Sequence, residues 1–333
     1  MAGSGTAHLR EDGDVVMRVI DLVVEFPTAD PASKVQAVSS VSIDIMRGET
    51  LGLVGESGCG KSTTAKALVG LVRAKRGEVW FDGKELTAMS GREMRRERAR
   101  MQLIFQDPIG ALFPRHNVRQ LVREPLDIWS VGDKDSRRDR VDRMLDSVGI
   151  DPSAMGERRP GEMSGGQCQR VSIARALIND PQLVICDEPV SALDVSVQAQ
   201  TLNLLEDMKD RYGLTLLFVS HDLAVVKNVS DRVCVMYLGK ICEVAPADDL
   251  YRSPAHPYTL LLLSALPDLD PDRRKTRDRA PTGDIPSNVN PPSGCRFRTR
   301  CPRATEVCAS IEPEVREIAP DHFVACHYPH ELT

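Results

Sequence analysis

The sequence predicts an α/β fold, and three features carry that prediction. Residues 52–71 (GLVGESGCGKSTTAKALVGL) read as a short buried strand from Leu51, a glycine-rich turn and a helix beginning near Lys61. Residues 15–26 and 35–45 alternate apolar and polar side chains, the pattern of two antiparallel strands beside that turn. Residues 117–155 change to helical spacing, with Val118, Leu121, Val122, Leu126, Val141, Leu145 and Val148 on the apolar side, so a helical segment interrupts the sheet. At 333 residues there is chain enough for one large core or two domains.

Composition narrows the classes. A net charge of −5 gives no support to a nucleic-acid binder that works by bulk positive charge. No apolar run approaches the roughly 20 residues that span a bilayer, and 258–266, about half that, reads as a packed helix. The N-terminus (MAGSGTAHLREDGDVV) carries acids and no apolar segment, so a cytoplasmic chain with a flexible tail over residues 1–15 is expected. Nine cysteines in a reducing compartment point to metal, cluster or core use rather than disulfides.

In chain order, residues 27–34 (PTADPASK) are turn chemistry between the first two strands. Phe26, at the end of the first, is placed either to stack on an adenine ring or to fill the core. Gly55, Gly60, Lys61 and Ser62 then fill the phosphate-loop pattern, with Glu56, Ser57, Gly58 and Cys59 between the anchors and Thr63 after them. Backbone N–H groups must converge on a polyphosphate here, which side chains at Gly58 or Gly60 would obstruct. Lys61 reaches the β- and γ-phosphates and the Ser62 hydroxyl ligates Mg²⁺.

Residues 77–82 read as a strand and turn, and the basic run 92–100 as a solvated helix face. A buried strand over 101–105 is stopped by Pro108, which leaves Gln106 at its end, able to touch Mg²⁺ or an attacking water. In MSGGQCQRVSIARAL, residues 163–177, Ser164 is an N-cap candidate for a helix whose positive end lies beside the bare backbones of Gly165 and Gly166, a second phosphate-reading device. LVICDE, 183–188, is an apolar strand ending in two acids; Asp187 is the Mg²⁺-holding carboxylate and Glu188 the group that orients or deprotonates a water. A turn at 191–194 (SALD), a helix over 195–211 and a strand over 215–219 follow, the last running out at His221, within reach of a γ-phosphate.

With these motifs in order, the chain resembles the ATP-binding cassette (ABC) transporter subunit family over residues 15 to 265. The resemblance implies an ABC ATPase fold: a phosphate-loop α/β core over 16–265, with an antiparallel subdomain and a helical subdomain at about 107–180. It implies MgATP as substrate, Phe26 stacking on adenine, Glu188 as catalytic base, Gln106 between metal and transport domain, and His221 sensing the γ-phosphate. It implies two cassettes head to tail, Ser164, Gly165, Gly166, Gln167 and Asp194 of one completing the site of the other. An isolated chain would then hydrolyse ATP poorly.

Beyond HPYT (256–259) comes a proline-rich linker, 267–292, and then Cys295, Cys301, Cys308 and Cys326 in a segment, 266–333, too poor in apolar residues to fold by burial alone. Their spacing matches neither an ordinary ferredoxin nor a zinc ribbon, so the residues leave cluster and zinc both open. This segment, like SGGQCQRV, resembles the C-terminal extension of oligopeptide and dipeptide importer ATPases, in which the resemblance implies a [4Fe–4S] cluster on the four cysteines. The branch implies a second cassette subunit, two integral membrane permease subunits, an extracytoplasmic peptide-binding protein, and a peripheral place on the cytoplasmic face of the plasma membrane. Import of a nickel complex or glutathione is an alternative cargo. A soluble, non-transport ABC ATPase is disfavoured: the insertion is too short for a coiled coil and there is one phosphate loop.

Overall fold

The computed structural model describes residues 5–10, 13–265 and 284–332. The expected domain boundary at 265/266 and linker residues 267–283 lie outside the described residues. The strands are β1 (Val15–Pro27), β2 (Lys34–Met46), β3 (Thr50–Val54), β4 (Arg76–Phe81), β5 (Lys84–Glu85), β6 (Met101–Ile104), β7 (Leu183–Asp187), β8 (Thr215–Ser220), β9 (Arg232–Tyr237), β10 (Lys240–Pro246), β11 (Arg316–Ala319) and β12 (His322–Val324). The chain divides into two compact units, residues 1–88 with 220–333, and residues 89–219.

In the first unit β1 and β2 pair antiparallel, as their alternation predicts, in a sheet of order β2-β1-β4-β5. Val19, Leu22 and Val24 of β1 and Val38, Val41 and Ile43 of β2 are buried. Strand β3 is buried along its whole length and pairs parallel with β9, which hairpins into β10 through Leu238 and Gly239, both at positive φ. β12 pairs with β10 and β11 with β12, so the chain's end joins this sheet. Arg232, 5% exposed, opens β9 and is held by Asp44 at 2.6 Å and Glu49 at 2.9 Å. One cation facing two buried carboxylates recovers part of the cost of taking all three from water.

The N-terminal stretch departs from expectation. Residues 5–10 are not a free tail: His8 is 2% exposed and its Nε2 bonds the Ser42 carbonyl at 2.6 Å, while the Arg10 N–H donates to Asp44 at 2.7 Å. The reason is tertiary, since β2 offers a carbonyl and a buried carboxylate that these polar groups satisfy.

In the second unit β6 and β8 flank β7 in parallel. The expected helical segment forms Val118–Trp129, Lys134–Ser147 and Pro152–Met155. Each of the seven apolar residues named from its periodicity is buried. The basic run gives the helix Gly91–Glu97, capped by Ser90 with Glu93; Arg92, Arg95 and Arg96 face solvent while Met94 and Glu97 turn inward.

Candidate active site

The phosphate loop lies between β3 and the helix Lys61–Leu68, in the first unit. Lys61 is 4% exposed and its Nζ donates to the carbonyls of Gly55 at 2.7 Å and Glu56 at 3.1 Å, so the ammonium is folded along the loop's inner side. Gly60 caps the helix at φ 108°, and a Cβ there would stand 2.1 Å from the Ala37 carbonyl oxygen. Gly58, at φ 78°, has open space where its Cβ would be. The obstruction at Gly60 is therefore against β2 of the same chain, and only Gly58 leaves an open face. Cys59 is buried, so its side chain does not face outward, and its carbonyl accepts from the Gly239 N–H of the hairpin. Ser57 is exposed, while Ser62 and Thr63 are half-buried at the loop's ends. Phe26, next to last in β1, has 38% of its surface exposed and is not buried in the core. His221 is exposed directly after β8.

The second unit gathers the acids. Asp187 ends β7 with 3% exposure. Glu188 sits at φ 49°, a strained conformation for a side-chain-bearing residue, held by its N–H on the Val219 carbonyl at 2.9 Å. Its Oε2 accepts from Gln106 Nε2 at 2.9 Å, so two residues 82 apart in sequence meet as one polar pair. Ser164 caps the helix Gly165–Leu177 with its hydroxyl on the Gln167 N–H at 3.3 Å, and the Gln167 side chain returns a bond to the Ser164 N–H at 2.9 Å. Ser164 is exposed. A Cβ on Gly166 would lie 2.5 Å from Val197 Cγ1, so this glycine also lets the helix Val195–Tyr212 approach, a packing role its sequence context does not reveal. Asp194 caps that helix, and bonds from the Val197 N–H and the Ser196 hydroxyl hold its carboxyl below the usual range.

The cysteines separate into two sets. Cys59, Cys168, Cys186, Cys234 and Cys242 are buried, as small core residues should be. Cys295, Cys301, Cys308 and Cys326 line one small cavity together with His256 and His327. Burial pushes the thiol of Cys295 up to about 12 and that of Cys326 up to about 11. Among the described residues no three His, Cys, Asp or Glu side chains are placed as a metal-holding group.

Residue-by-residue reading missed three contacts on the phosphate loop. Tyr258, noted only within HPYT, accepts the Glu56 N–H on its hydroxyl at 2.8 Å. Arg300 takes both oxygens of the Glu56 carboxylate, at 2.7 and 2.9 Å. Asn288 donates to the Gly58 carbonyl at 2.8 Å. The arginines of RFRTR were the available signal, but nothing in their spacing names a partner some 240 residues away.

Residues 38–191 match the ABC transporter family and residues 242–308 the oligopeptide/dipeptide transporter C-terminal region. The chain is 49% identical over 327 residues to the oligopeptide transport ATP-binding protein OppF of Escherichia coli, covering 95% of this chain and 97% of that one. It is 50% identical over 311 residues to a putative peptide import ATP-binding protein of Brucella ovis, covering 93% and 97%. Among solved structures it is similar to a dimeric ATP-binding cassette in a post-hydrolysis state bound to ADP and Pi, with a TM-score of 0.64 and 26% identity over 69% of this chain and 98% of that one. The CbiO1 subunit of a Clostridium perfringens ABC transporter complex is similar with a TM-score of 0.63 and 28% identity over 72% and 91%.

Proposed function

The chain belongs to the ATP-binding subunits of the ABC transporter family, in its oligopeptide/dipeptide branch, and from that premise we propose the residue roles and assembly through which it energises peptide import. It is an ATPase whose hydrolysis is coupled to import of oligopeptides or dipeptides. The observation that carries the chemical reading is the Gln106–Glu188 hydrogen bond, which aims an acid at the end of one strand with a neutral amide from the next.

Phe26 stacks on the adenine, and the loop from Gly55 to Thr63, with Lys61, binds the phosphates. Ser62, Gln106 and Asp187 would hold Mg²⁺, which supplies charge neutralisation on the β- and γ-phosphate oxygens. Glu188 orients a water for in-line attack on the γ-phosphorus and takes its proton. His221 contacts the γ-phosphate. Ser164, Gly165, Gly166, Gln167 and Asp194 of a second cassette subunit, identical or homologous, close the site; the exposure of Ser164 and Asp194 and the place of all five at two helix N-termini support this. Closing and reopening of the pair moves two integral membrane permease subunits, fed by an extracytoplasmic peptide-binding protein, with the ATPase peripheral on the cytoplasmic face. No helix among the described residues is long and apolar enough to cross a membrane.

The test is Glu188→Gln in the assembled transporter. It keeps ATP binding and lowers turnover by about a hundredfold or more; unchanged steady-state hydrolysis removes Glu188 from the role. For the extension we assign Cys295, Cys301, Cys308 and Cys326 to a [4Fe–4S] cluster, supported by their shared cavity. Binding there would release the protons that burial holds on Cys295 and Cys326. Anaerobically purified protein contains iron and acid-labile sulfide in equal amounts; stoichiometric zinc in colourless protein replaces the cluster by a zinc site.

A further inference from the structure

The phosphate loop is fastened from outside by the chain's own C-terminal extension. Glu56, the loop's first residue after Gly55, is gripped at both ends: its N–H by Tyr258 Oη at 2.8 Å and its carboxylate by the Arg300 fork at 2.7 and 2.9 Å. The Arg300 side chain is 8% exposed. Its guanidinium lies 5.7 Å from the Tyr237 ring centre and 5.9 Å from that of Phe297, and both rings pack against Tyr258. Two bonds in a fixed plane, on a cation resting against two aromatic rings, leave the carboxylate little freedom. Two further residues of the extension contribute. Asn288 holds the Gly58 carbonyl, and Arg296 reaches the Leu238 carbonyl, Ser39 and Gln36 behind the loop. Arg300 neutralises a negative charge that would otherwise stand unpaired on a loop built to receive phosphates.

We propose that Arg300 is a positioning residue for ATP binding, acting through Glu56 so that the C-terminal extension sets the conformation and charge of the phosphate loop. The proposal rests on the nucleotide-site reading above, and the experiment separates the two. Binding of a fluorescent ATP analogue with Mg²⁺ is measured on the full chain and on Arg300→Ala, Arg300→Lys, Glu56→Gln and the Glu56→Gln/Arg300→Ala pair, with Lys61→Ala as the reference for the site itself. Arg300→Ala weakens binding about tenfold, Arg300→Lys less, and the double variant binds no worse than Arg300→Ala, because the pair acts as one unit. In the assembled transporter Arg300→Ala raises KM for ATP with kcat within about twofold, the signature of lost positioning rather than lost chemistry. Glu56→Gln leaves Arg300 on its rings, so it reads the pair even where Arg300→Ala lowers the melting temperature. Arg300→Ala binding within twofold of the parent, or effects of the two single changes that simply multiply, overturns the proposal. Unchanged binding in Lys61→Ala would instead overturn the nucleotide site.

Discussion

Residues 55–61 and residues 164–167 both place backbone N–H groups at a helix start, yet they are built in opposite ways. The first is enclosed: Lys61 is folded onto loop carbonyls, Gly60 is wedged against Ala37, and Glu56 is held by Tyr258 and Arg300. The second is exposed at Ser164 and half-buried beyond it, and is held by its own capping box between Ser164 and Gln167. A loop that must hold a polyphosphate by itself needs its conformation set by its own chain. In the proposed assembly the second turn meets the nucleotide only when another subunit arrives, so it needs to be presented, and local capping suffices for that.

The widest test of this contrast lies within the enclosed loop. Gly60→Ala forces a Cβ to 2.1 Å from a backbone oxygen at φ 108°, whereas Gly58→Ala at φ 78° meets nothing. Gly60→Ala is expected to cost about 3 kcal/mol or more, from strain and from displacing β2, and to abolish ATP binding. Gly58→Ala costs about 1 kcal/mol from its backbone alone. Thermal melts and nucleotide titrations on the two variants measure the difference; equal losses would mean that the loop is not wedged.

Ser164→Ala probes the presented turn. Losing the cap costs about 1 kcal/mol, and ATP binding to the separate chain stays within about twofold. Hydrolysis by the assembled pair falls at least about tenfold, since a donor to the phosphates is gone from the closed site. A loss of binding in the separate chain would erase the contrast between the two turns.

What the sequence disclosed tracks how local the cause was. The strand, loop and helix at 50–68 were legible because glycine spacing, Lys61 and an apolar run are local signals, and the helices of 118–155 because a 3.6-residue period is too. Gln106 and Glu188 were each picked out as polar ends of apolar strands, though their hydrogen bond to one another was not. The β9–β10 hairpin went unassigned although RVCVMYLGKICEVAP carries two apolar runs around Leu238 and Gly239. Gly166 against Val197, Arg300 on Glu56 and His8 on Ser42 were invisible because each depends on a partner brought near only by the fold. The N-terminal stretch misled for the same reason: polar composition predicts a free tail unless a buried acceptor waits for it.

That stretch also supplies the smallest test, because β2, which it pins, is the strand that carries Ala37 against Gly60. Burial lowers the His8 pKa from its ordinary 6.5, more than the Ser42 carbonyl and Asp44 raise it, and Arg232 lowers it further. The folded state therefore binds fewer protons on His8 than the unfolded chain does. Stability from this group is fully present above about pH 6.5 and declines as pH falls through that value toward the depressed folded pKa, with a slope of at most about 1.4 kcal/mol per pH unit. His8→Gln keeps a donor for the Ser42 carbonyl and removes the titration, so urea melts between pH 7 and 5 are expected to show a flatter acid limb than the parent. A residual slope remains from His256 and His330, which burial also lowers. An unchanged limb would mean that residues 5–10 separate from β2 before the domain unfolds, and that the enclosed loop owes its firmness to the extension alone.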